Sequence, residues 1–256
     1  MLMPEMTADL SFAAIAFITL TFFLAGIVKG VTGMGLPTVA MGVLGLFMPP
    51  VAAASLLILP SFVTNIWQLL AGPSFIALLK RLWTMMLAII IGTLLGASFM
   101  AGNSGVWATA ALGVALASYA AYTLLAPPFS VPEKIETWLS PIIGLLTGLM
   151  TGATGVFVIP AVPYIQALGF DRENLVQALG LSFTVSTIAL AIGLGSHSAF
   201  QLQELATSTL AVAPALLGMW AGQIVRRAVS PATFKRWFLI CLLLLGLQLA
   251  LRPLMG

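Results

Sequence analysis

Apolar residues in this chain come in long continuous blocks, at roughly 10–28, 36–48, 51–71, 82–101, 105–126, 137–151, 155–168, 174–195, 205–225 and 236–253, divided by Pro, Gly or charged residues. Most blocks approach the ~20 residues that carry a helix across a ~30 Å hydrocarbon core. Those at 36–48, 137–151 and 155–168 are shorter and lie beside the densest Gly and Pro. The runs do not alternate apolar with polar, which argues against a transmembrane barrel. The pattern predicts an all-α integral membrane protein with about ten transmembrane segments, some of them short and interrupted.

Composition agrees: 61% of the 256 residues are hydrophobic and 7% charged, too few polar groups to cover a soluble globule. A net charge of +3 spread over this length makes no basic patch for nucleic acid. The single cysteine, Cys241, excludes a disulfide framework, a cysteine zinc site or an iron–sulfur cluster within the chain. Because the first basic residue is Lys29, the opening block lacks the basic flank of a secretory signal and reads as a retained first helix.

The two halves echo each other. Gly26 to Gly35 is matched by Gly144 to Gly155 with two extra residues; Ser61-Phe62 falls against Ser182-Phe183, and Leu94-Leu95-Gly96 against Leu216-Leu217-Gly218. Residues 1–130 and 131–256 are therefore expected to be two repeats of five segments. Equivalent loops differ in character: the basic Lys80-Arg81 loop is matched by a stretch near Ser196 to Glu204 without Lys or Arg, while Arg226, Arg227, Lys235 and Arg236 match the uncharged 102–106. By the positive-inside rule the copies are inverted. With an external N-terminus and ten crossings, Lys29, Lys80, Arg81, Lys134, Arg172, Arg226, Arg227, Lys235 and Arg236 face the cytoplasm, and Arg252 is left outside.

Inverted repeats with an interrupted segment at the same place in each half point to a secondary transporter's binding site. The candidate residues lie first at the two breaks: Thr32, Gly33, Met34 and Gly35, then Thr151, Gly152, Thr154 and Gly155. Glycines there permit unusual backbone, prolines remove donors, and freed amides with threonine hydroxyls suit an anion. Gly26, Gly30, Gly144 and Gly148, spaced G-x-x-x-G, read as helix-packing positions. Lys29 has two readings: a cation of the site, or a lysine snorkelling to the cytoplasmic surface. Its counterpart is read as Thr147. Asn65 and Gln68, with Ser61 and Thr64, form a polar face matched by Ser182, Thr184, Ser186 and Thr187, which either bonds between helices or lines a cavity.

His197, between Ser196 and Ser198, reads as solvated. Glu5, Asp9, Glu133, Glu136, Asp171, Glu173 and Glu204 fall near segment ends or in loops, which argues against a buried carboxylate relay. No phosphate-loop motif, H-E-x-x-H or G-x-S-x-G occurs, so nucleotide hydrolysis by that loop, zinc proteolysis and serine hydrolysis lack their parts. No cofactor or metal is called for, and the chain reads as something other than an enzyme.

The glycine pattern Gly26-x-x-x-Gly30-x-x-Gly33-x-Gly35-x-Pro37, its echo at Gly144, Gly148, Gly152 and Gly155 with Pro160, and the chain length resemble the TauE/SafE family of sulfite exporters. The resemblance implies a bacterial or archaeal inner-membrane carrier for sulfite, organosulfonates or thiosulfate. Expected partners are the small anionic substrate, the lipid bilayer and, as an allowed arrangement, further copies of the chain. A passive anion channel and a scaffold subunit without transport are the competing functions.

Overall fold

The structure, a computed structural model, describes residues 12–102, 106–127, 129–197 and 202–255. Glu5, Asp9 and Ser198 lie outside them, as do residues 103–105 of the loop matched to the 226–236 cluster.

Ten helices follow in order: α1 (Phe12–Thr32), α2 (Leu36–Leu44), α3 (Pro50–Leu70), α4 (Phe75–Gly102), α5 (Val106–Leu125), α6 (Glu133–Thr154), α7 (Ala161–Ala167), α8 (Arg172–Ser196), α9 (Leu202–Ala228) and α10 (Pro231–Met255). No strand occurs among the described residues. Seven of the helices, α1, α3, α4, α5, α8, α9 and α10, are long and apolar enough to cross a membrane. The expected short segment 137–151 belongs to the longer α6, whose 22 residues begin with Glu133 and Glu136 in the first turn. By contrast α2, with 9 residues, and α7, with 7, span only about 14 and 10 Å as helices, too little to cross alone.

Close glycine contacts reveal the helix directions. Gly26 lies against Ala215 and Met219, and Gly30 against Met219 and Gly222, so α1 and α9 run parallel. Gly92 meets Leu145 and Leu149 while Gly96 meets Leu149 and Ala153, so α4 and α6 also run parallel. Helices α3 and α8 are antiparallel, with Asn65 against Thr187 and Gly72 against Gln177. Ser208 of α9 bonds near Leu56 and Leu59, and Lys29, level with Met219 to Gln223, bonds Thr64 and Asn65. Helix α3 therefore runs with α1 and α9. Gln177 lies beside the α3–α4 turn and Gly193 beside Thr93 and Ala97, so α8 runs with α4 and α6.

Since α1 and α3 point the same way, residues 33–49 must return along the bundle. They do so beside α10: Gly35 near Phe238, Gly42 against Leu245 and the Leu46 carbonyl accepting from Arg252. The stretch from Phe238 to Arg252 measures about 21 Å of helix. Residues 155–171 make the matching return, with Tyr164 bonded to Ser140 and the Ala167 carbonyl accepting from Val131 N–H.

Packing exchanges elements between halves. Helix α1 pairs with α9, α6 with α4, α3 crosses α8 and α5 crosses α10. These directions gather nine of the ten basic residues at one end of the bundle; Arg252 lies at the other. Trp67, Trp83, Trp138, Trp220 and Trp237 lie towards the basic end, Trp107 towards the other, and all six are well exposed. Amphipathic rings on the outside of an apolar bundle are the usual anchors at a membrane–water interface.

Candidate functional site

The first break is built from its own backbone. Helix α1 ends at Thr32, Gly33 follows at φ 79° and Gly35 at φ 102°, and α2 starts at Leu36-Pro37. Left-handed backbone of this kind favours glycine. The Thr32 hydroxyl lies 2.8 Å from the Val28 carbonyl and 2.7 Å from the Met34 carbonyl, either of which can take its one proton, and it receives the Met34 N–H at 3.3 Å. Gly33 N–H donates to the Lys29 carbonyl at 2.7 Å. The second break repeats the device: Gly155 sits at φ 72° and donates to the Thr151 carbonyl, while Thr154 donates to the Met150 carbonyl and receives the Val156 N–H. The expectation that these breaks free their amides for a ligand is corrected for these four N–H groups, which are bonded within the chain.

Aligning Thr32-Gly33 with Thr154-Gly155 also shifts the repeat register by one helical turn. Gly26 and Gly30 then match Gly148 and Gly152, Lys29 matches Thr151 instead of Thr147, and no insertion is needed. Glycines recurring every four residues allowed either register; the helix ends distinguish them.

Gly152 belongs to packing. A Cβ there would stand 2.3 Å from the Thr93 carbonyl oxygen and 2.5 Å from the Ala97 nitrogen, so the glycine lets α6 lie directly on α4. Gly30 does the same for α1 on α9, 2.2 Å from the Met219 oxygen, and Gly26, Gly144 and Gly148 are equally close to neighbouring backbone. Thr151 is buried and donates to the Thr147 carbonyl of its own helix at 2.7 Å.

Lys29 does not snorkel. It is 3% exposed, and its ammonium donates to Thr64 Oγ1 at 3.1 Å and to Asn65 Oδ1. Asn65 Nδ2 in turn donates to Thr187 Oγ1 at 3.2 Å, carrying the chain of bonds from α1 through α3 to α8. Asn65 precedes Gly72 by seven residues, placing the cluster about 10 Å inside the basic end. Lys29 has neutral partners only, and an ammonium has three N–H groups, so one has no protein acceptor among the described residues. At the bilayer centre such a charge costs roughly 2.5–3.5 kcal/mol on insertion scales, and at this shallower depth it costs less.

Gln68 has a different task. Its amide donates to the Gly33 carbonyl at 3.1 Å and the Val176 carbonyl at 2.9 Å, tying the first break to α8. Met34 is buried and receives the Tyr119 hydroxyl at 3.5 Å; Gly35 caps α2 through its carbonyl, which accepts from Thr38 and Val39. Ser182 and Ser186, one turn apart on α8, are fully buried and their hydroxyls have no partner among the described residues, as is true of Ser61 on α3. The breaks themselves meet through an apolar contact, Met41 of α2 against Gly155. The polar centre lies at the α3–α8 crossing. Thr64 and Thr187, visible in the sequence only as members of polar faces, prove to be the hydroxyls that receive Lys29 and Asn65.

Elsewhere, Glu136 is buried within α6 and forms a two-pronged ion pair with Arg81, both bonds 2.8 Å, so the acid is on a helix and neutralised. Asp171 caps α8 through Asn174 N–H at 2.8 Å. His197 is exposed at the end of α8. No group of three or more metal-ligating side chains occurs among the described residues.

A bundle of long apolar helices, ringed by tryptophan and crossed inside by a buried polar chain, marks a multi-pass membrane protein. The family model of the sulfite exporter TauE/SafE matches residues 18–249, and the chain belongs to that family. No curated protein and no solved structure matches it.

Proposed function

We propose that this protein exports small sulfur-containing anions, such as sulfite, organosulfonates or thiosulfate, across a bacterial or archaeal inner membrane. Lys29 carries the proposal: a cation held deep in the bundle by neutral Thr64 and Asn65 attracts an anion that completes its charge balance. Asn65 fixes the ammonium, Thr187 fixes Asn65, and the Ser61, Ser182 and Ser186 hydroxyls are further donors on the two crossing helices. Thr32, Gly33, Met34, Gly35, Thr154, Gly155 and Gln68 shape the breaks that hold this region. Parallel α1 and α3, parallel α6 and α8, and the clustered basic residues support ten crossings in two inverted repeats, 1–130 and 131–256, with the basic end cytoplasmic. Movement of the two exchanged pairs, α1 with α9 and α4 with α6, around the α3–α8 crossing then alternates access.

The test is flux in liposomes with a panel of sulfur oxyanions. Saturable uptake with counterflow of labelled substrate, reduced at least tenfold in Lys29→Gln, is the expected result. Flux without counterflow assigns a channel; none with any oxyanion leaves the scaffold reading. Orientation is read in a Cys241→Ser background: Gly102→Cys reacts with an impermeant external thiol reagent and Ser230→Cys does not. Labelling of Ser230→Cys from outside overturns the topology.

A further inference from the structure

Two clefts at the basic end differ in charge. One, between the starts of α4 and α6, is lined by Lys80 and Arg81 together with Glu133 and Glu136, and Arg81 is committed to Glu136. Its charges cancel. The other, of about 670 Å³ between the end of α5 and the start of α10, is lined by Lys235 and Arg236 and by no acid. Neither cation has an ion-pair partner among the described residues.

The rest of that second cleft is apolar. Leu124 and Leu125 form one wall, and Leu239 and Ile240 continue the other, one turn beyond the cations. Trp237, 65% exposed, follows the cations on the same helix but does not line the cleft. Along a single groove the chemistry therefore runs from cation to hydrocarbon. That order matches a phospholipid read from headgroup to chain. Lys235 also borders the smaller cleft that Gln166 and Pro163 of α7 share, so a headgroup held there adjoins the returning segment of the second half.

We infer that the α5–α10 groove binds an anionic phospholipid, its phosphate between Lys235 and Arg236 and one acyl chain along Leu124, Leu239 and Ile240. A free oxyanion would use the cations and leave the leucine wall idle, whereas a neutral lipid would use the wall and leave two charges unmatched. The inference does not depend on which anion the protein carries.

The experiment titrates the purified full-length protein in a neutral detergent with phosphatidylglycerol and with phosphatidylcholine, reading bound lipid by native mass spectrometry. Phosphatidylglycerol is expected to bind at least tenfold more tightly. Lys235→Gln with Arg236→Gln should abolish the preference, and Arg226→Gln with Arg227→Gln, which removes the same charge outside the groove, should keep it. The exposed Arg236→Gln alone, which leaves the packing of α10 intact, should lower it partway. Equal binding of the two lipids overturns the inference, as does equal loss in the Arg226/Arg227 pair. Displacement of phosphatidylglycerol by equimolar inorganic phosphate overturns it too, since the cations would then be reading a free anion.

Discussion

The two interrupted helices share a backbone device and differ in chemistry. In both, a threonine one residue before a left-handed glycine closes the helix and receives the amide two residues on. In both, glycines one and two turns earlier press the helix onto a partner from the other half. Yet where α1 presents Lys29 to α3, α6 presents Thr151 to its own backbone. What is common to the halves is what a helix needs in order to stop and pack; the charge occurs once. The buried ammonium therefore sets the first interruption apart from the second.

The shared part breaks most severely. Gly30→Ala and Gly152→Ala each drive a methyl into rigid backbone at 2.2 and 2.3 Å, with no flexible side chain to yield. Both should lower melting in detergent by amounts equivalent to about 1–3 kcal/mol or more, and by similar amounts in the two copies. Retained stability in Gly152→Ala would return that glycine to the site.

The unshared part sharpens the comparison in a different readout. Lys29→Gln should weaken sulfite binding at least tenfold, about 1.4 kcal/mol, without lowering the melting temperature, because it removes a buried charge and keeps a hydrogen-bonding end. Thr151→Val should leave binding within about twofold. Equal losses in both variants would mean that the halves contribute alike and that Lys29 is a structural cation. Isothermal titration beside thermal melting separates the outcomes.

Much of this was legible in the sequence because lipid imposes long apolar blocks, and because basic residues sort to one side. The short segments were harder. Residues 36–48 hold a nine-residue helix followed by a hydrogen-bonded turn, and helix length in an apolar run depends on where backbone bonds end, which Gly35 and Pro37 decide locally at its start. The sequence does not decide the burial of Lys29, since a lysine near a helix end can either turn outward or find Asn65, 36 positions away. Gly152 looked like Gly155 in sequence; the backbone of α4 against one, and the positive φ of the other, separate them.

The smallest expected difference lies between the two left-handed glycines. Gly33→Ala and Gly155→Ala both force an alanine into positive φ, at a cost of roughly 1–2 kcal/mol for each. Around Gly33 nothing lies within 4 Å of the added carbon, so the backbone strain is the whole effect. At Gly155 the added carbon meets Met41 Cε at 2.8 Å, so the flexible but buried methionine tip must turn aside at a further cost. Gly155→Ala should therefore melt slightly below Gly33→Ala, and Met41→Ala in combination should erase the difference. If Gly33→Ala melts the lower of the two, its surroundings constrain it in some way beyond backbone conformation, and the Gln68 bond to its carbonyl is the contact through which that constraint would act.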